Sequence, residues 1–254
     1  MRPAERNSRP PSVVDKVAAI LGAFDAGATA LGVSDIAART GLAKSTVHRL
    51  VGELTAHRIL ERDGDQRLRL GLRLFELGEL VPRHRTLTQA ARPIMEDLWA
   101  ATHQRIHLAV LDGADVVYVG IIGGTDLPLS SRTGGRLPAH ATGVGKVILA
   151  YSSEPVIQAV IDAGLAALTP RTIATPQRLR QALATIRAEG TAYDTEESHP
   201  GISCVAAPVF GVNRQIRAGL SVTGHTASID PFPLGVAVRT AAFTLSRVLR
   251  RSRL

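Results

Sequence analysis

The stretch "AKSTVHRLVGEL", residues 43–54, crowds Lys44, Ser45, Thr46, His48 and Arg49 around one apolar residue, Val47. All five polar side chains can donate hydrogen bonds, and Lys44 and Arg49 carry a standing positive charge. Such a set suits a polyanion. Lys44 can neutralise a phosphate, Ser45 and Thr46 are short donors for phosphate or base edges, and Arg49 can bond guanine through two parallel N–H groups. Val47, Leu50, Val51 and Leu54 recur at the i, i+3, i+4, i+7 spacing of a buried helical face. The donors then occupy the outer and leading surface of that helix.

The neighbouring elements must position this helix. Ser12 is suited to cap a helix running to about Asp25, with Val13, Val17, Ile20, Leu21 and Phe24 on one face and Asp15 completing a weak capping box. "DAGATALG" (residues 25–32) ends it. Ser34 is expected to cap a second helix through Arg39 and to contact the DNA there, and Gly41 supplies the positive φ of the turn that follows. After the third helix, residues 59–62 and 66–70 alternate around Asp63-Gly64 as a hairpin. Its Arg62, Arg67 and Arg69 are expected to lie against the backbone or minor groove of a duplex. Helix, helix, turn, helix, hairpin is the order of a winged helix-turn-helix, whose second motif helix enters the major groove. The competing reading is a structural helical hairpin with a solvated basic face.

Charge is distributed in a compatible way. The net charge is +8, and residues 1–90 hold fourteen basic and ten acidic residues, residues 91–230 eleven and twelve, and residues 231–254 five arginines and no acid. Basic segments attract phosphate whatever its sequence, although the C-terminal arginines read more simply as a solvated surface. No run of 18 apolar residues predicts a membrane span, and "MRPAERNSRPPS" has no apolar segment behind it to make a secretory signal. The single cysteine, Cys204, cannot form an internal disulfide, which fits a reducing cytoplasm.

The expected organisation is a basic arm (1–11), a winged helix-turn-helix (12–70), a linker helix (71–85) closed by Pro82 and Arg83-His84-Arg85, and a larger domain (86–254). In that domain a helix at about 87–103 precedes the strand-like runs "IHLAVLDG" and "DVVYVGII" and a glycine-rich stretch. Helical segments follow near 153–164 and 176–190. The strands "TAYDTEE", "ISCVAAPVF" and "IRAGLSVTG" come next, then an amphipathic helix from about Phe232 to Arg250. Short strands flanked by helices predict an α+β domain with an antiparallel sheet.

"TGLAKSTVHRLVGEL" followed by "ERDGDQRLRLGLRLFELG" resembles the DNA-binding half of the IclR family of bacterial transcription regulators. "HLAVLDGADVVYV", "LSSRTGGRLPAHATGVGKVILA", "LTPRTIATPQRL", "AYDTEESHPGISCVAAPVF" and "LSVTG" resemble its second half in order and spacing, so the likeness covers nearly the whole chain. Ala43 departs from the proline usual there, which weakens the helix start slightly and removes no donor. The resemblance implies a GAF-like effector domain that binds a small molecule, often an organic or aromatic acid, with no cofactor. It also implies homodimers, commonly paired as tetramers, acting on paired half-sites of double-stranded DNA. The effector-binding residues it implies are Leu129, Gly143, Val144, Asp194, Cys204, Ser221 and Thr223. The residues themselves are compatible: amides at a helix start near Gly145 favour an anion, and Ser221 and Thr223 share one face of a strand. Asp194 beside an anion must hold a proton or accept from a ligand hydroxyl. Cys204 in an apolar strand reads by itself as a small buried residue. Which alternation of the "ISCVAAPVF" strand lines the site, that of Ala206, Pro208 and Phe210 or that of Val205, stays open.

Other chemistries fit less well. "ATGVGKV" has His140 where a phosphate-binding loop needs glycine and Val147 where it needs Ser or Thr. A thiol enzyme built on Cys204 with His199 or His225 lacks any pattern that would activate the thiol. Asp194, Glu197 and His199 match no metal-ligand spacing. The chain is therefore read as no enzyme, and a sensor or scaffold that binds no DNA is the alternative.

Overall fold

A computed structural model describes residues 10–25, 27–123, 127 and 131–251 of the chain. It divides into two compact units, Met1–Pro82 and Arg83–Leu254.

The first unit opens with α1 (Val13–Gly22), capped by Ser12 through a reciprocal box in which Asp15 accepts from the Ser12 N–H at 2.8 Å. Ile20 and Phe24 are buried, but Val13 is 55% exposed, contrary to the buried face expected of it. In α2 (Val33–Thr40) a second expectation fails: the cap is Gly32, and Ser34 lies exposed inside the first turn. Asp35 accepts from the Gly32 N–H at 2.9 Å, so the acid three residues after the cap fixes the start without a capping hydroxyl. Gly41 ends α2 with φ +68°, and its N–H bonds the Ala37 carbonyl at 2.9 Å. Then α3 (Lys44–Ala56) buries Val47, Leu50, Val51 and Leu54 against Ile20, Leu31 and Ile36. Strands β1 (Leu60–Arg62) and β2 (Leu68–Leu70) pair antiparallel, and Leu31 bridges Leu68 as a third rung. At the hairpin tip Gln66, not Gly64, takes the positive φ. Asp63 Oδ1 holds the tip by accepting from the Asp65 and Arg67 N–H groups. The linker helix α4 (Leu72–Glu79) follows.

Pro82 opens the next helix instead of closing the linker: α5 spans Pro82–Thr102. Proline lacks only an N–H that the first helical turn leaves unbonded anyway. The second unit is built on one antiparallel sheet of order β5-β4-β3-β8-β7-β6. Its strands are β3 (Arg105–Asp112), β4 (Asp115–Ile122), β5 (Arg136–Pro138), β6 (Ala192–Thr195), β7 (Ile202–Phe210) and β8 (Ile216–His225). The glycine-rich stretch gave no sign of β5, an edge strand short enough to end in proline. The helices α6 (Gly143–Ala150), α7 (Glu154–Asp162) and α8 (Pro176–Glu189) pack on one face, with Ala109, Tyr118, Ala192 and Ala206 beneath them. On the other face α5 and α9 (Pro231–Arg251) cover Ile106, Leu108, Val205, Ala207, Val209 and Leu220. By length and composition α9 could cross a membrane. Here it lays Val238, Ala242, Leu245 and Leu249 into that core.

Candidate functional site

On α3 the buried stripe leaves Lys44, Ser45, His48 and Arg49 exposed and Thr46 half-buried, so the five donors share one outer surface. Arg49 is paired with Glu53 one turn on, at 2.6 Å, with both side chains more than half exposed. The hairpin arginines are less free than the sequence suggested. Arg67 is tied to Asp35 at 3.3 Å and to the Ala30 carbonyl, Arg69 to Asp63 at 3.1 Å, and Arg62 to the Gln66 carbonyl. All three arginines remain exposed, and the Arg67–Asp35 pair, half-exposed on both sides, is worth at most about 1 kcal/mol.

In the second unit, strand register assembles the other site. Asp194 pairs with Cys204, Cys204 with Thr223 and Thr223 with Arg105, so these four residues form one row across β6, β7, β8 and β3. Ala192, Ala206, Ser221 and His107 form the adjacent row. Directly paired residues face the same side of a sheet, which decides the strand alternation: Cys204 and Ala206 face α6, Cys204 lining the cavity, and Val205 and Ala207 belong to the opposite core. The start of α6 lies on these rows. A Cβ on Gly143 would stand 2.6 Å from Cys204 Sγ, and one on Gly219 would stand 2.7 Å from the Val144 carbonyl. Glycine at both places lets helix and sheet approach this closely. The helix starts at Gly143, two residues before the expected Gly145, because Thr142 caps it by accepting from the Gly145 N–H at 3.0 Å.

The walls of this cavity come from His107, Tyr118, Thr142, Asp194, Cys204 and Ser221, and they leave about 20 Å³ of free space. Leu129, expected as an apolar wall, lies outside the described residues. The Asp194 carboxylate accepts from the Glu197 N–H at 2.7 Å and from Ser198 Oγ at 3.0 Å. Burial raises its pKa, and the Lys146 charge opposes that rise only in part. Burial and then the Asp194 charge push the Cys204 thiol well up. It is therefore held as a protonated thiol, the opposite of an activated nucleophile. His107 Nδ1 lies 3.0 Å from Thr223 Oγ1 and Nε2 lies 3.1 Å from Ser131 Oγ. Burial, assisted by the Arg105 charge, lowers its pKa to about 3, so the ring is neutral. Behind Asp194, Lys146 is buried and donates to the Tyr193 carbonyl at 2.7 Å and to Glu197. No group of three or more residues able to hold a metal occurs among the described residues.

Residues 13–64 match the description "IclR helix-turn-helix domain", and residues 81–247 match "Bacterial transcriptional regulator IclR C-terminal". The chain belongs to the IclR family of bacterial transcriptional regulators. It is 35% identical to the HTH-type transcriptional regulator XynR of Escherichia coli over 93% of this chain and 96% of that one. It is 32% identical to KdgR of Dickeya chrysanthemi over 77% and 65%. Among solved structures, an IclR homologue from Microbacterium hydrocarbonoxydans in complex with 4-hydroxybenzoate superposes with a TM-score of 0.87. That pair is 30% identical, with 94% of this chain and 100% of the other covered. As an IclR regulator the chain combines a helix-turn-helix DNA-binding domain with a C-terminal effector-binding domain.

Seven residues lining this IclR cavity are not foreseen from the sequence: His107, Tyr118, Ser131, Leu137, Thr142, Ser198 and Ile202. Two had a signal. Ile106, Leu108 and Val110 mark the core face of β3, which puts His107 on the other face. Thr142 before "GVG" is an ordinary N-cap residue. Tyr118 arrives through its pairing with Ala109 and Ser131 through its contact with His107, neither with a local signature.

His107 carries a pH prediction. In the unfolded chain it titrates at about pH 6.5, so between there and about 3 the unfolded state holds a proton that the folded state lacks. Its contribution to stability is present above that window and falls as the pH falls through it. Asp194, whose pKa is raised, works in the opposite sense. In urea unfolding, His107→Gln should lose about 2 kcal/mol less than the parent between about pH 7 and pH 5. Equal losses would mean that His107 is protonated in the folded chain.

Proposed function

We propose that this IclR regulator binds a small aromatic or organic acid in the cavity beneath α6, and that the ligand changes how the α3 helices hold paired half-sites of DNA. The observation that carries this reading is the buried row of Asp194, Cys204 and Thr223, with Ser221 beside it, roofed by Gly143 and Val144. Among the described residues no arginine or lysine lines the cavity, and Lys146 behind it is engaged by Glu197 and the Tyr193 carbonyl. The ligand acid is therefore met by backbone N–H groups at the start of α6 and by the Ser221 and Thr223 hydroxyls. Asp194 then serves a ligand hydroxyl, as donor when protonated and acceptor when not. The 4-hydroxybenzoate found in the Microbacterium homologue has both groups. A cavity of about 20 Å³ cannot hold a ring, so ligand entry is coupled to movement of the walls, and that differential binding is the free energy available to a regulator.

On the DNA side, α3 supplies too few base contacts for specificity as one copy, which favours dimers on paired half-sites. Val13 and Val14 on α1, Leu72 and Phe75 on α4 and Leu80 just after it are exposed apolar side chains of the kind a second copy would cover.

Calorimetric titration with 4-hydroxybenzoate tests the pocket. The parent should bind it, and Ser221→Ala combined with Thr223→Val should weaken binding by about tenfold or more. Undiminished affinity in the double variant would place the ligand elsewhere.

A further inference from the structure

A second concavity lies beside α9, at the end of the β7–β8 hairpin, and encloses about 380 Å³. That reaches the lower range of small-molecule sites, about 300 Å³ upward. It is separate from the cavity beneath α6, with which it shares no lining residue. Small residues, Gly190, Ala207 and Ala242, are among its lining. It is also internally satisfied, since Ser246 Oγ accepts from the Phe210 N–H at 2.8 Å and donates to the Ala242 carbonyl at 2.7 Å.

The walls are aromatic. Tyr151 and Phe210 stand edge to face with centroids 5.0 Å apart, and Tyr151 gives its hydroxyl hydrogen to the Arg187 carbonyl. Opposite them on α9, Phe243 is 60% exposed. Three cations rim the opening: Arg214, Arg239 and Arg250, with no Asp or Glu among the lining residues. Among the described residues none of the three has a carboxylate partner. Arg239 bonds Thr191 Oγ1 and Arg250 Nε bonds a carbonyl of its own helix, each using one of five guanidinium N–H groups. An apolar aromatic slot under unpaired guanidinium groups matches a planar ring carrying a carboxylate: Arg forks bind carboxylates bidentately and stack on flat groups.

We propose that this cleft is a second small-molecule site, selective for an organic anion with a planar apolar body, of which an aromatic monocarboxylate is the simplest form. It does not depend on the reading of the cavity beneath α6.

Fluorine NMR of the full chain titrated with 4-fluorobenzoate tests it. The comparison uses the parent, a Ser221→Ala/Thr223→Val variant that disables the other cavity, and that variant with Arg214→Gln and Arg250→Gln added. All the added changes are at exposed positions, and Phe243→Ala provides an independent change to the apolar wall. Saturable binding should survive in the second protein at about millimolar ligand. It should weaken by about tenfold or more on adding either the arginine changes or Phe243→Ala. The same ring without charge, 4-fluorobenzyl alcohol, should bind markedly less well, and inorganic phosphate should compete poorly. Absence of saturable binding in the Ser221→Ala/Thr223→Val protein would overturn the proposal. So would binding indifferent to the arginine and Phe243 changes, or equal binding of the alcohol.

Discussion

Lys146→Met should destabilise the C-terminal unit by about 3–5 kcal/mol, the cost of leaving one partner of a buried ion pair behind. Lys146 is 2% exposed and sits between the Glu197 carboxylate and the Tyr193 carbonyl. Removing it strands a buried acid whose second oxygen, Oε2, already has no partner. Urea unfolding followed by fluorescence reads this unit directly, because Trp99 in α5 is the only tryptophan. Adding Glu197→Met should restore most of the loss, leaving about 1 kcal/mol for the unsatisfied Tyr193 carbonyl. The single variant also has a pH signature. Burial already raises the Glu197 pKa, and only Lys146 opposes this strongly, so without the lysine the acid takes up a proton. The deficit should therefore shrink as the pH falls. A loss independent of both pH and the second substitution would mean that the lysine acts through packing alone.

The second large effect concerns DNA. Arg49→Ala should lower affinity for a specific site by about 10- to 100-fold, the worth of a good bidentate base contact. Binding to scrambled DNA should change far less. Lys44→Ala, as loss of a phosphate contact, should instead weaken both DNAs alike and reduce the salt slope by about one. Arg49 is held by Glu53 in the free chain, at 2.6 Å, so Glu53→Gln should free the guanidinium and remove a carboxylate from a surface that faces phosphates. A parallel loss on both DNAs for Arg49→Ala would reassign Arg49 to the backbone.

Local signals made most of the fold legible, and registers accounted for what stayed hidden. The α3 periodicity, the Gly41 turn and the Asp63 hairpin are each written in a few adjacent residues. Ser34 is a good cap by type and so points to a later start of α2, whereas Asp35 reaches back to Gly32 and makes the earlier start better satisfied. Pro82 reads locally as a stop, although a proline equally well opens a helix. In the candidate site, Ser221 and Thr223 could be put on one face by alternation. That they meet Cys204, Asp194 and His107 depends on how β8 pairs with β7 and β3, and β7 with β6, which no single strand encodes. The Lys146–Glu197 pair spans 51 positions, and nothing near either residue announces the other.

The most direct test of the account is fluorescence anisotropy on labelled DNA from upstream of the chain's own gene, with and without saturating 4-hydroxybenzoate. The parent and the Ser221→Ala/Thr223→Val variant should bind that DNA equally well without ligand. Ligand should then shift the parent's affinity by about tenfold, within the usual range of coupling free energies, and leave the variant's unchanged. An equal shift in both proteins, or none in a parent that demonstrably binds the acid, would contradict control of DNA binding through the cavity beneath α6.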